Sequence, residues 1–459
     1  MNPFAKQPSS ATPIPSRWVR DSQLAALPAI TIWALLALLV APPDFSYENA
    51  RQGVQFQVSS GGKTGPLIIL SALAISATIL IWRWWLTLEL SNWINRYLLL
   101  FVALATLSML WSIDPAATLR RLVRLYIIVM SCIAFVLVGW HAHRFQNVLR
   151  PAITLICAGS IVLGITAPDY GIESGTSSEL IGAWKGLTMQ KNSLGALSAV
   201  GLILWIHAWL SRTAKMTHVW IGGAITGICV ILSRSSTSLL SSVMSAVFLL
   251  LMLRTRPALR PYMPYIVGTF AAVILVYSLA VLDLIPGLSI ILTPITTITG
   301  KDLSFSGRTM LWEIMVETIK RHPFLGVGLG AYWTGPTPGT MSYEYVIRTY
   351  IYPTHAHNGY LDVINELGAL GGLCLLGFIV TFLRQSLQIL KIDRSQAALY
   401  FVLLFQAFLA NLSESHWFQV ASFNFLIITL ATASIGRHLL QDRLNTRHQA
   451  AVAASAGRG

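Results

Sequence analysis

The sequence predicts an all-α polytopic membrane protein of about 12 transmembrane helices, and three observations predict it. Of 459 residues, 54% are hydrophobic and 11% charged, less than half the roughly 25% charged share of an ordinary soluble domain. Apolar runs of about 17 to 25 residues recur along the chain, the length an α-helix needs to cross about 30 Å of hydrocarbon at 1.5 Å per residue. The alternating segments of about ten residues that mark a membrane β-barrel are not seen. Mean hydropathy is +0.63.

In chain order the expected spans are Gln23–Ala41, Pro66–Trp82, Tyr97–Trp111, Leu122–Trp140, Val148–Ala167, Ser193–Leu210, Thr217–Leu232, Ser238–Leu253, Tyr262–Val281, Gly359–Phe382, Ala397–Leu412 and Phe418–Ile435. The first follows a Pro/Ser-rich stretch and has no small-residue cleavage site after it, so it reads as retained rather than as a signal peptide. The organisation expected is a disordered tail at 1–20, a bundle of nine spans at 21–283 and a large loop at 284–358 carrying an amphipathic helix. Three more spans follow at 359–437, and a second disordered tail at 438–459.

Lysine and arginine are retained on the cytoplasmic side of short loops. With the N-terminus inside, the inner connections carry Arg83, Arg96, Arg144, Arg212, Lys215, Arg254, Arg256, Arg260, Arg384, Lys391 and Arg394. Both termini then lie in the cytoplasm of the inner membrane, and the loop after the ninth span is periplasmic. The net charge of +14 is mostly this orientation signal and does not indicate nucleic-acid binding. A second basic set falls outside against the rule: Arg120, Arg121, Arg124, Lys185, Lys191, Arg234, Arg308 and Arg348. The four cysteines, Cys132, Cys157, Cys229 and Cys374, lie inside apolar runs without CxxC spacing and read as small core residues.

The outer segments carry the candidate chemistry. Trp111-Ser-Ile-Asp-Pro115 starts a helix on which Arg120 and Arg124 either snorkel or bind an anion. Lys185-Gly186 and Lys191-Asn192 precede the sixth span, where a helix N-terminus with glycine and a cation suits phosphate. Arg234 sits in a hydroxyl-rich turn, Ser233 to Ser238, and Ser306-Gly307-Arg308 opens the amphipathic stretch Thr309–Arg321 with Leu311, Met315 and Ile319 on one side. Gly326-Val-Gly328-Leu-Gly330 lacks dinucleotide spacing and a βαβ context. His355-Ala-His357-Asn358 leads into the tenth span, with Asp362 and Glu366 one and two turns further on. Its readings are a helix cap, a metal site lacking a third ligand at useful spacing, or a general base. On a helix, His355 and His357 would be separated by about 200°, which places only one of them in a common hollow. Glu414 is a carboxylate near membrane depth whose expected partner is an outer arginine.

These segments together, in order from Trp111 to Glu414, resemble the O-antigen ligase and exopolysaccharide polymerase superfamily. The resemblance implies a helical glycosyltransferase of the GT-C kind that moves a glycan from undecaprenyl diphosphate to an acceptor hydroxyl, by metal-independent inversion and without a cofactor. It implies His357 as catalytic residue and Arg234 and Arg308 as diphosphate ligands. Lys191 stands in the family's Lys-Asn pair, whereas Met189-Gln190 departs from the aromatic and histidine found there in many relatives. Lys185, Asn192, Arg120, Arg124, His355, Asn358 and Glu414 are expected in support. The expected partners are the lipid-linked oligosaccharide, a glycan or lipid A core acceptor, membrane lipids and other polysaccharide assembly proteins. Polymerase and ligase remain the two readings, with the Ser-Gly-Arg-Thr and Trp-Ser-Ile-Asp-Pro segments nearer the polymerase. A transporter of the lipid-linked glycan is the alternative from another class, but its polar sites would sit near the midplane of two related halves.

The orientation is testable with fused reporters. A fusion after Ser304 is expected to be active outside the cytoplasm and fusions after Arg256 or Arg394 inside; reversal at Ser304 would put the candidate site on the wrong face.

Overall fold

A computed structural model describes residues 24–41, 64–173, 181–254, 308–335, 340–343 and 354–456, with isolated positions at 262–272 and 347. Among these residues the regular structure is helical, apart from one isolated antiparallel bridge between Ile172 and Trp184. The helices are α1 (Ala26–Val40), α2 (Thr64–Trp82), α3 (Trp84–Ser91), α4 (Arg96–Leu107), α5 (Pro115–Leu137), α6 (Arg144–Thr166), α7 (Lys191–Ser211), α8 (Met216–Leu232) and α9 (Ser236–Arg254). After them come α10 (Arg308–Arg321), α11 (Gly359–Ile392), α12 (Arg394–Ser413) and α13 (Phe423–Ala456), with one further turn at Pro168–Gly171.

Seven described helices are long and apolar enough to span a membrane, or eight if α3 and the stretch from Arg96 to Leu110 count as one span bent by 102°. About twelve spans were expected, and the described residues hold these seven or eight, for physical reasons. Helices α1 and α8 are apolar but shorter, α5 carries three arginines in its first turns, and the ninth expected span, Tyr262–Val281, lies outside the described residues but for isolated positions. Short helix α3, not foreseen, exposes Trp84, Trp85 and Leu88. The expected tail at 438–459 is corrected too: α13 continues to Ala456, with Arg443 over the Trp93 ring and Arg447 3.6 Å from Glu89.

Helix starts follow short polar side chains. Asn95, Asp114, Asn358 and Asp393 each accept a backbone N–H of the first turn of α4, α5, α11 and α12, satisfying donors that the helix itself leaves unpaired. Helices α12 and α13 are the innermost, with 78% and 94% of their apolar windows buried. The turn between them is anchored by an aromatic cluster in which Phe418 stacks on Phe101 at 3.8 Å and Trp417 packs edge-on to Phe378 and Tyr360.

Helix α11 is two helices joined at Gly368 (φ 63°, ψ −159°). The glycine-rich segment after α10 takes up the backbone groups at the break. Val327 N and Gly328 N donate to the carbonyls of Asn365 and Glu366, while Ala369 N and Leu370 N donate to those of Pro323 and Phe324. The Trp111–Pro115 segment clamps the far side: Trp111 Nε1 donates to Leu325 O (3.0 Å), Ile113 N to Val327 O (3.0 Å) and Thr118 Oγ1 to Leu329 O (3.0 Å). Helix α10 buries Leu311, Ile314 and Met315 against Val327, Tyr332, Trp333 and Ala356, so it caps the bundle.

A side chain at Gly368 would overlap the Phe324 carbonyl, and its backbone conformation is one essentially confined to glycine, costing other residues about 1 to 3 kcal/mol. Gly368→Ala is therefore expected to lower the melting temperature of detergent-purified protein, and Gly372→Ala, which meets only the Ile364 side chain, to leave it near wild type. Equal melting temperatures for all three would remove the break from the stability argument.

Candidate active site

The segment before α11 is not helical, and this decides where its histidines point. His357 adopts φ 52°, in the left-handed region. Asn358 then caps α11, accepting from Tyr360 N (3.0 Å) and Leu361 N (3.2 Å), and donates its own N–H to Ser415 Oγ (3.2 Å). Ala356 is fixed from both sides: its N–H donates to Asp362 Oδ2 (3.0 Å) and its carbonyl accepts from Trp312 Nε1 (3.0 Å). Asp362, fully buried, also accepts from Trp333 Nε1 at 2.9 Å. Helix α10 and the first turn of α11 thus hold the residue between the two histidines.

Both rings meet Glu414. His357 Nδ1 lies 3.2 Å and His355 Nε2 3.4 Å from the same oxygen, Glu414 Oε2, and the ring centroids are 4.2 Å apart. The expectation that only one ring faces the hollow assumed helical geometry; the left-handed residue turns the second ring back beside the first. Asn192 Nδ2 donates to the other oxygen, Oε1, at 2.8 Å. Glu414 was expected to pair with an outer arginine; its partners among the described residues include Asn192, His355 and His357. The carboxylate is 7% exposed and the histidine side chains are 23% and 27% exposed, so the charge is sheltered while the rings remain accessible.

Glu414 supplies the third donor that the local sequence lacks, and the three potential ligand atoms lie within 4.8 Å of one another. The hydrogen bonding of His355 bears on whether its ring could join them on an ion. His355 Nδ1 accepts the backbone N–H of His357 at 3.1 Å, so in the neutral ring the hydrogen resides on Nε2 and that nitrogen offers no lone pair.

The wall around Glu414 comes from other segments. Asn411 Oδ1 accepts the N–H groups of His416 (2.8 Å) and Trp417 (2.6 Å), fixing the turn that carries Glu414. Gly359 leaves room for that amide, since a Cβ there would overlap Asn411 Oδ1. Gly195 likewise lets α7 approach the Ser233–Ser238 turn, and a cleft lined by Asn192, Ser235, Ser238, Gln406 and Glu414 runs between α7, α9 and α12. His416 borders the cleft, and loss of solvation on burial pushes its imidazole down to about 4.

The cations fall into separate groups. Buried Lys185 lies 3.9 Å from Glu173 Oε2, and Glu173 Oε1 accepts the backbone N–H of Lys191 at 3.3 Å. Arg234, exposed and left-handed at φ 49°, donates to Ile181 O at 2.9 Å. Arg308 opens α10, but its side chain lies outside the described residues, as does Arg348. Arg120 and Arg124 are exposed on α5; Arg121 between them donates to Gln419 Oε1 (3.3 Å), whose amide donates to Glu366 (3.3 Å). Glu173, Trp333 and Gln419 escaped the sequence reading. An acidic residue at a membrane boundary was the available signal for Glu173; Trp333 and Gln419 sit in stretches with none.

Residues 221–376 match the O-antigen ligase family. The chain is also 26% identical over 308 residues to the exopolysaccharide production protein ExoQ of Rhizobium meliloti (strain 1021), a match covering 64% of this chain and 66% of that protein, just under two thirds of its length. The family match takes in Arg234, Arg308 and both histidines, and ends before Glu414.

Proposed function

We propose that this chain, which matches the O-antigen ligase family over residues 221–376 and is similar to an exopolysaccharide production protein, is an enzyme that transfers a glycan from undecaprenyl diphosphate to a sugar hydroxyl at the periplasmic face of the inner membrane. The observation that carries the reading is the pairing of His357 Nδ1 with a sheltered Glu414 that Asn192 orients. A carboxylate on Nδ1 keeps the opposite nitrogen, Nε2, as the basic one and stabilises the imidazolium when it forms, the arrangement of a general base.

The acceptor oxygen attacks the anomeric carbon, its proton passes to His357 Nε2, and the bond from that carbon to the diphosphate oxygen breaks. The electron pair leaves with the lipid diphosphate, and direct displacement inverts the anomeric centre. Arg234, Arg308 and Lys191 take the growing charge on the diphosphate. Guanidinium groups do this where water is scarce, because their donors are fixed and paired, so the chemistry proceeds without a divalent ion.

The name of the relative, an exopolysaccharide production protein, favours polymerisation, and the description of the matched family, O-antigen ligase, keeps attachment to lipid A core as the second reading. A deletion strain separates them by glycan analysis. Loss of long chains while single repeats still reach the surface identifies a polymerase, and accumulation of unattached long chains a ligase.

Two sets of variants test the chemistry. Arg234→Lys and Arg308→Lys are expected to lose about a hundredfold to a thousandfold in kcat, the cost of one charge-assisted contact in the transition state; normal turnover at normal expression would place the residue outside the site.

His357→Ala is expected to lose about 10² to 10⁴ in kcat, with donor binding retained. Wild-type activity should rise from acid pH towards neutrality as an imidazole base is uncovered. His416, held down to about 4, is already neutral over that range and adds nothing to the slope. Chelator should leave the rate unchanged, and inhibition reversed by zinc would refute the metal-free reading.

A further inference from the structure

Two histidines share one carboxylate oxygen, and the hydrogen bonds around them make the pair unequal. The His357 backbone N–H, which cannot be given up, points at His355 Nδ1 at 3.1 Å. That nitrogen must therefore keep its lone pair. A neutral ring then carries its hydrogen on Nε2, the nitrogen that lies 3.4 Å from Glu414 Oε2. A doubly protonated His355 would set one N–H against another and break the turn that positions His357. Among the described residues no equivalent backbone donor meets His357 Nδ1, which faces the carboxylate itself at 3.2 Å.

We infer that His355 is a positioning residue: locked by the His357 backbone as its Nε2–H tautomer, it presents a fixed N–H to Glu414 and leaves proton uptake to His357. This rests on the reading of His357 as the base. The physical consequence is a division of charge. A second basic imidazole with its centroid 4.2 Å away would compete for the single negative charge of Glu414 and repel the His357 imidazolium as it forms. A ring that cannot accept a proton without losing its own hydrogen bond removes that competition. Its polarised N–H, with the Asn192 amide on the other oxygen at 2.8 Å, also fixes the plane of the carboxylate.

The two nitrogens of His355 can be mimicked separately. In His355→Asn the amide oxygen stands near Nδ1 and still accepts the backbone N–H, but nothing donates to Glu414. In His355→Gln the amide N–H stands near Nε2 and still donates, but the backbone acceptor is gone. His355→Ala and His355→Asn are expected to lower kcat about tenfold to a hundredfold, the scale of a hydrogen bond to a charged group, at unchanged KM for the lipid-linked donor. His355→Gln is expected to recover most of that loss.

Recovery by Asn and not by Gln would show that the residue serves only the backbone turn and would overturn the inference, as would equal activity in all three variants. His357→Ala assayed alongside keeps the two ideas apart: if it is active, the general-base reading has failed, whatever the His355 series shows. Nitrogen NMR of histidine-labelled wild-type protein, with the His355 signal assigned by its loss in His355→Gln, reads the tautomer in the wild-type protein itself. An Nε2–H ring without imidazolium signal down to about pH 6, below the 6.5 of a free side chain, is expected; an Nδ1–H ring would overturn the inference.

Discussion

Exchange of backbone hydrogen bonds across the break in α11 is the constraint on which the site depends. Inside a bilayer a helix cannot simply stop, because each freed N–H and carbonyl must find a partner within the protein. Here the carbonyls of Asn365 and Glu366 and the N–H groups of Ala369 and Leu370 all find theirs in the segment 323–328. That segment is gripped in turn by Trp111 and Ile113, and Thr118 holds Leu329 just beyond it. The N-terminal half of α11 becomes a short, rigid rod tied to α5 and α10, and Asn358 stands at its tip. Segments that look unrelated in sequence, Trp-Ser-Ile-Asp-Pro and Gly-Val-Gly-Leu-Gly, are two sides of one joint.

Glu414 is the electrostatic counterpart of that joint. A sheltered carboxylate is stable only if its oxygens are satisfied, and two segments distant in sequence deliver three nitrogens: the start of α7 with Asn192, and the approach to α11 with His355 and His357. The turn that carries the carboxylate is fixed independently by Asn411 and by the packing of Trp417 and Phe418. Moving any one of these parts would leave a charge buried without its partners, so the cluster assembles as a unit.

Much of this was legible in the sequence, because membrane helices announce themselves by length and apolarity and their starts by a preceding Asn or Asp. The polar segments worth attention were visible as well, Asn192 and Glu414 among them. What stayed hidden depended on conformation. A helix assumed across residues 355–358 put the histidines on opposite sides, whereas a single left-handed residue reverses the chain there. The short helix α3 was read as part of an inner connection, because Arg83 and Arg96 flank it, and the chain turns by 102° after it. The length of α13 was missed because the polarity of its last turns looks like a tail. Pairings such as Lys185 with Glu173 and Gln419 with Glu366 depend on which helices meet, which no local pattern encodes.

Arg234 and His357 share a backbone property that bears on how such proteins vary. Both hold positive φ, 49° and 52°, a region that glycine occupies without steric cost and other residues only with some. For folding alone, glycine is the preferred residue at both positions. Selection for abundance in the membrane would therefore drift them towards glycine and yield well-made, silent proteins. Under the roles proposed above for Arg234 and His357, the side chains oppose that drift, so in a library sorted first for expression and then for glycan output, these two positions are where the sorts should disagree.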